Sequence, residues 1–279
     1  MTVEPAPKKN SDLPTRFAAG VVMIAVALVA IYLSGWPFRV LAAVAAGLMI
    51  LEWSGMHRVP KIWSWAAVVM MAVPLVAITE YFFRAAENNI YQISYDLVEP
   101  TVTLFAVILG LALVIGLLSR RASMTWGFLY IGVPSVALIF LNWAWWQLSL
   151  WVMIVTWATD IFAYFAGRSI GGAKLAPRLS PNKTWAGLIG GMVGAAVAAA
   201  LSGRLLELDE PVFLWLGAPL ALLAQLGDLY ESSVKRKKGV KDSGTILPGH
   251  GGVLDRLDGL LPVVLATFIV LLFLSRGTA

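Results

Sequence analysis

The residues with the greatest chemical capacity crowd into one stretch, residues 227–259, which reads GDLYESSVKRKKGVKDSGTILPGHGGVLDRLDG. It mixes Asp228, Glu231, Asp242, Asp255 and Asp258 with Lys235, Arg236, Lys241, Arg256, His250 and several glycines. If it opens as a helix, Asp228, Ser232 and Lys235 or Arg236 share one face, at i, i+4 and i+7 or i+8. Asp255 and Asp258 stand three apart at the start of the next apolar run, also on one face. Two helix ends that bear carboxylates, brought together, offer hard oxygen donors suited to Mg²⁺. Lysines and Arg236 can hold phosphates, the arginine through a bidentate fork. Pro248-Gly249-His250-Gly251-Gly252 must bend sharply and approach something closely, as three glycines allow. His250, between a Lys-Asp pair and an Asp-Arg-x-Asp cluster, suits a phosphate contact or the orienting of its loop. A loop that served only to set membrane orientation would need Lys and Arg, not these acids.

A second, smaller group lies between Asp160 and Trp185. Asp160 sits inside an apolar segment, where a charge is costly and usually has a use. The loop GRSIGGAKLAPRLSPNKTW, residues 167–185, breaks at Gly171-Gly172 and Pro177. Ser180 or Thr184 is the expected N-cap of the next helix, and a helix N-terminus is a natural phosphate site. Its four basic residues would equally suit anionic headgroups. Glu52 and Glu80 lie at segment ends and are expected in headgroup water. His57, in a short turn beside Arg58, reads as a solvated surface residue. The chemistry these groups imply is phosphoryl or nucleotidyl transfer at a membrane face, which depends on positioning and charge neutralisation. There is no G-x-S-x-G elbow and no Walker A motif. The absence of cysteine excludes disulfides, thiolate metal sites and cysteine nucleophiles.

The elements that must position these groups are membrane helices. The 279-residue chain is 59% hydrophobic and 13% charged, and several solid apolar runs reach the length needed to cross about 30 Å of hydrocarbon. A membrane β-barrel would alternate instead. The expected fold is all-α, a polytopic integral membrane protein with about nine spans: 16–34, 37–53, 62–80, 98–118, 125–143, 146–166, 185–202, 211–228 and 257–275. With the N-terminus in the cytoplasm, only Arg39, Arg84, Arg204 and Arg276 fall outside, so 17 of the 21 Lys and Arg lie inside. That places loops 167–184 and 229–256 on the cytoplasmic face. Residues 1–15 are expected as a disordered cytoplasmic tail, 16–143 as the N-terminal spans and 144–279 as the catalytic membrane region. The outer loop 81–97 and the Asn142–Trp146 turn read as structural, the latter as an interfacial aromatic anchor. Gly187, Gly190, Gly191 and Gly194 form small-xxx-small patterns for close helix packing.

Three stretches resemble the phosphatidate cytidylyltransferase (CDP-diacylglycerol synthase) family. They are Ser233-x-Lys235-Arg236 with Lys241-Asp242-x-Gly244 and Pro248-Gly249-His250-Gly251-Gly252-x-x-Asp255-Arg256-x-Asp258; Thr159-Asp160-x-x-Ala163-Tyr164-x-x-Gly167-Arg168; and Ser180-Pro181-x-Lys183-Thr184-Trp185-x-Gly187. Together they span roughly the last 120 residues, with a further family-like Tyr130-Ile-Gly-x-Pro134 upstream. The resemblance implies that CTP and phosphatidic acid give CDP-diacylglycerol and diphosphate, with Mg²⁺ and a possible second metal such as K⁺, in a homodimer in the bilayer of a bacterial inner membrane. No nucleic-acid partner is expected. It places the metal on Asp228 and Asp255. Asp228, Asp255, Lys235, Arg236, Lys241 and Asp258 form the expected catalytic set. Asp160, Ser180, Lys183, Thr184, Ser232, Asp242, His250, Gly251, Gly252 and Arg256 form the substrate-binding set. Asn182 and Ala186 depart from the family's usual Lys and Glu, which removes a basic and an acidic contact. The alternatives are another CTP-dependent membrane lipid phosphotransferase or kinase and, from a different class, an anionic-solute transporter. A transporter would carry broken helices in two matched halves. A CDP-alcohol phosphotransferase would carry D-G-x-x-A-R…D-x-x-x-D. Neither pattern is present.

Overall fold

The computed structural model describes residues 13–88, 98–208, 211–247 and 251–277. Most of the expected tail and the 89–97 part of the outer loop lie outside these residues, as does His250. The helices are α1 (Leu13–Leu33), α2 (Gly35–Met56), α3 (Lys61–Val73), α4 (Thr79–Asn88), α5 (Val98–Ser119), α6 (Ala122–Ala144), α7 (Trp146–Ser169), α8 (Trp185–Leu205), α9 (Val212–Trp215), α10 (Gly217–Lys237), α11 (Leu254–Leu257) and α12 (Leu260–Gly277). A π-helical turn, Pro74–Ile78, joins α3 to α4. Pro74 lacks an N–H and its ring crowds the preceding turn, so the helix widens there rather than breaking.

Among the described residues six helical stretches are long and apolar enough to cross a membrane: Gly35–Met56, Lys61–Arg84, Pro100–Ser119, Ala122–Ala144, Trp146–Ser169 and Trp185–Leu205. The other three expected spans fall on α1 and α12, whose apolar stretches are shorter (Gly20–Leu33 and Leu260–Ser275), and on α10. α10 does not stop near residue 228. It continues to Lys237, so its charged second half projects beyond the apolar half and carries most of the chemistry.

α6 runs through the middle, packed on α2, α5, α7 and α12. Phe128 and Phe140 on α6, Trp53 on α2, Trp151 on α7 and Phe268 on α12 are all essentially fully buried. α7 and α8 make the closest helix pair. A Cβ on Gly187 would stand 3.0 Å from the Ala163 carbonyl, and one on Gly191 3.0 Å from that of Thr159. The glycines of α8 therefore serve contact within the chain, which brings the N-terminus of α8 against the C-terminal half of α7.

Between α7 and α8 the chain forms an antiparallel hairpin, β1 (Lys174–Ala176) and β2 (Ser180–Thr184), with Lys174 opposite Thr184 and Ala176 opposite Ser180. Gly171 and Gly172, with φ of 69° and 90°, turn the chain out of α7 into it. The hairpin folds this polar loop back over the helix ends and aims Lys183 inward.

Candidate active site

A cavity of about 480 Å³ opens where α7, α8, α10 and the hairpin meet. α7 contributes Asp160, Ala163, Tyr164, Gly167 and Arg168; the hairpin, Asn182, Lys183 and Thr184; α8, Gly187 and Leu188; α10, Gln225 and Asp228. Thr184 is the N-cap of α8, its hydroxyl accepting from the Gly187 N–H at 3.0 Å. That decides between the two expected caps; Ser180 instead opens β2. The start of α8 thus faces the cavity, as an anion site would require. Thr184→Ala should lower stability by about 1 kcal/mol, read as a lower Tm in detergent, while Thr184→Ser should retain most of it.

Lys183 reaches Asp228 across this cavity, Nζ to Oδ2 at 2.5 Å. The ammonium makes no aligned hydrogen bond, so the contact is a charge pair. Ser232, one turn on, donates to the other oxygen of Asp228 at 3.2 Å. The i, i+4 face expected from sequence is therefore formed.

Further along α10, Lys235 lies between two carboxylates, with Nζ 2.5 Å from Glu231 and 2.6 Å from Asp255. Asp255 also accepts from the backbone N–H groups of Ser243 and Gly252, both to Oδ2 at 2.9 Å. Burial pushes the Asp255 carboxyl up, but Lys235 and those two amides outweigh it and hold its pKa below the ordinary carboxylate value. Gly251, at φ 84°, makes the turn that presents the Gly252 amide. Asp258 lies beside Asp228 and Glu231 and accepts from the Gly259 N–H at 2.7 Å. Arg236 donates to the Val240 carbonyl at 3.2 Å and closes the end of α10. Lys241, Asp242 and Arg256 are exposed, and Arg256 is close enough to Asp160 to act on its charge.

Two residues exceed the sequence expectation. Glu231 is fully buried against Lys235; its i, i+4 spacing from that lysine was the available signal. Glu52 is not in headgroup water. It is 4% exposed and accepts from the Ser243 hydroxyl at 3.0 Å and from the Val253 and Leu254 N–H groups at 2.8 Å each. Only its position as an acid in an apolar segment pointed to it. His57 differs too. It is half-buried, stacked on Trp53 at 4.7 Å between ring centres, with Nδ1 2.9 Å from the Trp53 carbonyl.

Among the described residues no three His, Asp or Glu side chains already form a metal-binding group. The donor chemistry nonetheless fits a hard divalent ion. Asp228, Glu231, Asp255 and Asp258 bring four carboxylates together, and the two lysines on them cover two of the four negative charges. Glu231 has no aligned hydrogen bond to either oxygen. Asp228 is half-open to the cavity, with its Oδ2 facing a cation already. Asp255 would share its Oδ1 with Lys235.

The chain matches the family model described as the cytidylyltransferase family over residues 14–274. The phosphatidate cytidylyltransferase of Brucella abortus is 34% identical over 267 residues, 90% of each chain. That of Rickettsia bellii is 40% identical over 176 residues, 55% of this chain and 74% of the relative. The Bacillus subtilis protein of the same name is 47% identical over 124 residues, 44% of this chain and 46% of its own. A family match over nearly the whole sequence, and a relative aligned over 90% of both chains, make this chain a member of the cytidylyltransferase family.

Proposed function

We propose that this chain is a phosphatidate cytidylyltransferase, converting CTP and phosphatidic acid to CDP-diacylglycerol and diphosphate. One observation carries the reading beyond family membership. The Lys183–Asp228 pair and the Lys235–Asp255 pair each have one member on α10, beside a cavity at the ends of membrane-length helices. A water-soluble nucleotide and a bilayer lipid can meet at such a place.

In the reaction an anionic phosphate oxygen of phosphatidic acid attacks the α-phosphorus of CTP. The new P–O bond forms as the bond from the α-phosphorus to the bridging oxygen breaks, and diphosphate leaves with the electron pair. The nucleophile is already ionised, so no dedicated general base is needed. Lys183, Lys235, Arg236 and Lys241 neutralise phosphate charge, and the N-terminus of α8 at Thr184 adds its dipole. Asp160 and Ser232 orient the wall of the cavity. Asp258, Asp242 and the His250 loop support the phosphate-binding groups. Asp228 and Asp255 would hold Mg²⁺, which when bound would supply further charge neutralisation to the nucleotide phosphates. The reading includes nine spans, a cytoplasmic N-terminus and cytoplasmic loops in a bacterial inner membrane, and a homodimer.

The test is purified protein in detergent with labelled CTP, phosphatidic acid and Mg²⁺. Formation of lipid-linked CMP, lost on chelation by EDTA and restored by Mg²⁺, is the expected result. No labelled lipid under any metal condition would overturn the assignment.

A further inference from the structure

Glu52 belongs to α2, far in sequence from the signature stretches, and the reaction above does not use it. Its carboxylate nevertheless organises the loop that carries Asp255. Two of its bonds go to consecutive amides, Val253 and Leu254, and the third to the Ser243 hydroxyl. Asp255 takes the interleaved donors, the amides of Ser243 and Gly252. Ser243 thus gives its hydroxyl to one carboxylate and its N–H to the other. The amides of residues 252, 253 and 254 are divided between them in order.

The loop's glycines fit this carboxylate. A Cβ on Gly244 would stand 2.8 Å from Glu52 Cγ, and one on Gly252 2.6 Å from Glu52 Oε2. The three donors to Glu52 are neutral, a hydroxyl and two amides. Burying a carboxylate on neutral donors is a costly way to gain stability alone. It is an effective way to fix where two strands of a loop stand relative to each other, because both oxygens act at once.

We propose that Glu52 is a positioning residue for the active site: it holds Ser243, Val253 and Leu254 so that Asp255 meets Lys235. The kinetic part of the test rests on the cytidylyltransferase reading; the structural part does not. Glu52→Gln keeps the shape but turns an amide NH₂ toward groups that also donate. It should lower kcat about 10- to 100-fold, the range for residues that orient site ligands, with KM for phosphatidic acid changed far less. Backbone hydrogen exchange should accelerate in residues 243–247 and 251–257 and stay at the wild-type rate in α5 to α8. Glu52→Asp keeps the charge on a shorter arm and should fall between the two. Ser243→Ala removes one of the three bonds and should show the same local pattern at smaller amplitude, which serves if Glu52→Gln does not fold. A Glu52→Gln kcat within about threefold of wild type would overturn the proposal, as would exchange that accelerates throughout the helices or, in Ser243→Ala, not at all. If the wild-type protein makes no CDP-diacylglycerol, the assigned reaction falls and the exchange pattern still decides the role of Glu52.

Discussion

Asp228→Asn should reduce kcat for CDP-diacylglycerol formation about 10³-fold, comparable with removal of a key electrostatic group from a preorganised site. Among the described residues, Asp228 is the cavity-lining carboxylate that forms an ion pair with Lys183. The substitution keeps the side-chain shape and an oxygen that Ser232 can still donate to. It removes the negative charge that pairs Lys183 and would hold the metal. Stability should hardly change. The Asp228 side chain is 36% exposed, so solvent screens the pair and its net contribution is about 0–1 kcal/mol. Turnover with labelled CTP and thermal unfolding in the same detergent separate the two effects. A variant that kept more than about a tenth of wild-type kcat would show that Asp228 is not the central ligand.

Lys235→Met should damage both folding and turnover. Its ammonium lies between Glu231, with no exposed side-chain surface, and Asp255, with 8%. Removing it leaves two buried carboxylates facing each other without their cation, and breaking such a buried pair costs about 3–5 kcal/mol. Tm should fall by several degrees and CDP-diacylglycerol formation should be lost. Adding Glu231→Gln should recover part of the Tm, because one uncompensated charge disappears, and none of the activity. Equal recovery of both would contradict the placement of Lys235 among the phosphate-binding groups.

Acid titration gives an independent view of the same cluster. The folded-state pKa of Asp255 lies below its unfolded value. The stability it contributes is therefore fully present above about pH 4, the ordinary aspartate range, and is lost as pH falls through the depressed folded value. Lys235→Met should weaken that acid-dependent loss, since the lysine is a main cause of the depression.

The amino-acid sequence by itself determined the membrane-helical class and, through its family resemblance, the reaction type. Long apolar runs can be stable only as helices in lipid, where every backbone group must be satisfied within the segment. Acids and bases at helical spacing had to share the face of α10, and Asp228, Ser232 and Lys235 do so because 3.6 residues make a turn. What the sequence left open depended on partners far apart along the chain. Thr184 rather than Ser180 became the cap because the hairpin takes Ser180 into a strand. Glu231 became buried because α10 continues past the apolar segment and packs its charged half beneath the 251–258 loop. Glu52 looked like a headgroup acid because nothing local to α2 satisfies it. Its three donors are 191 to 202 residues away. Local pattern records which face a residue occupies. Only the packing of α2 against the loop after α10 decides that this carboxylate is buried, fully bonded, and placed to hold Asp255 on the lysine that completes the site.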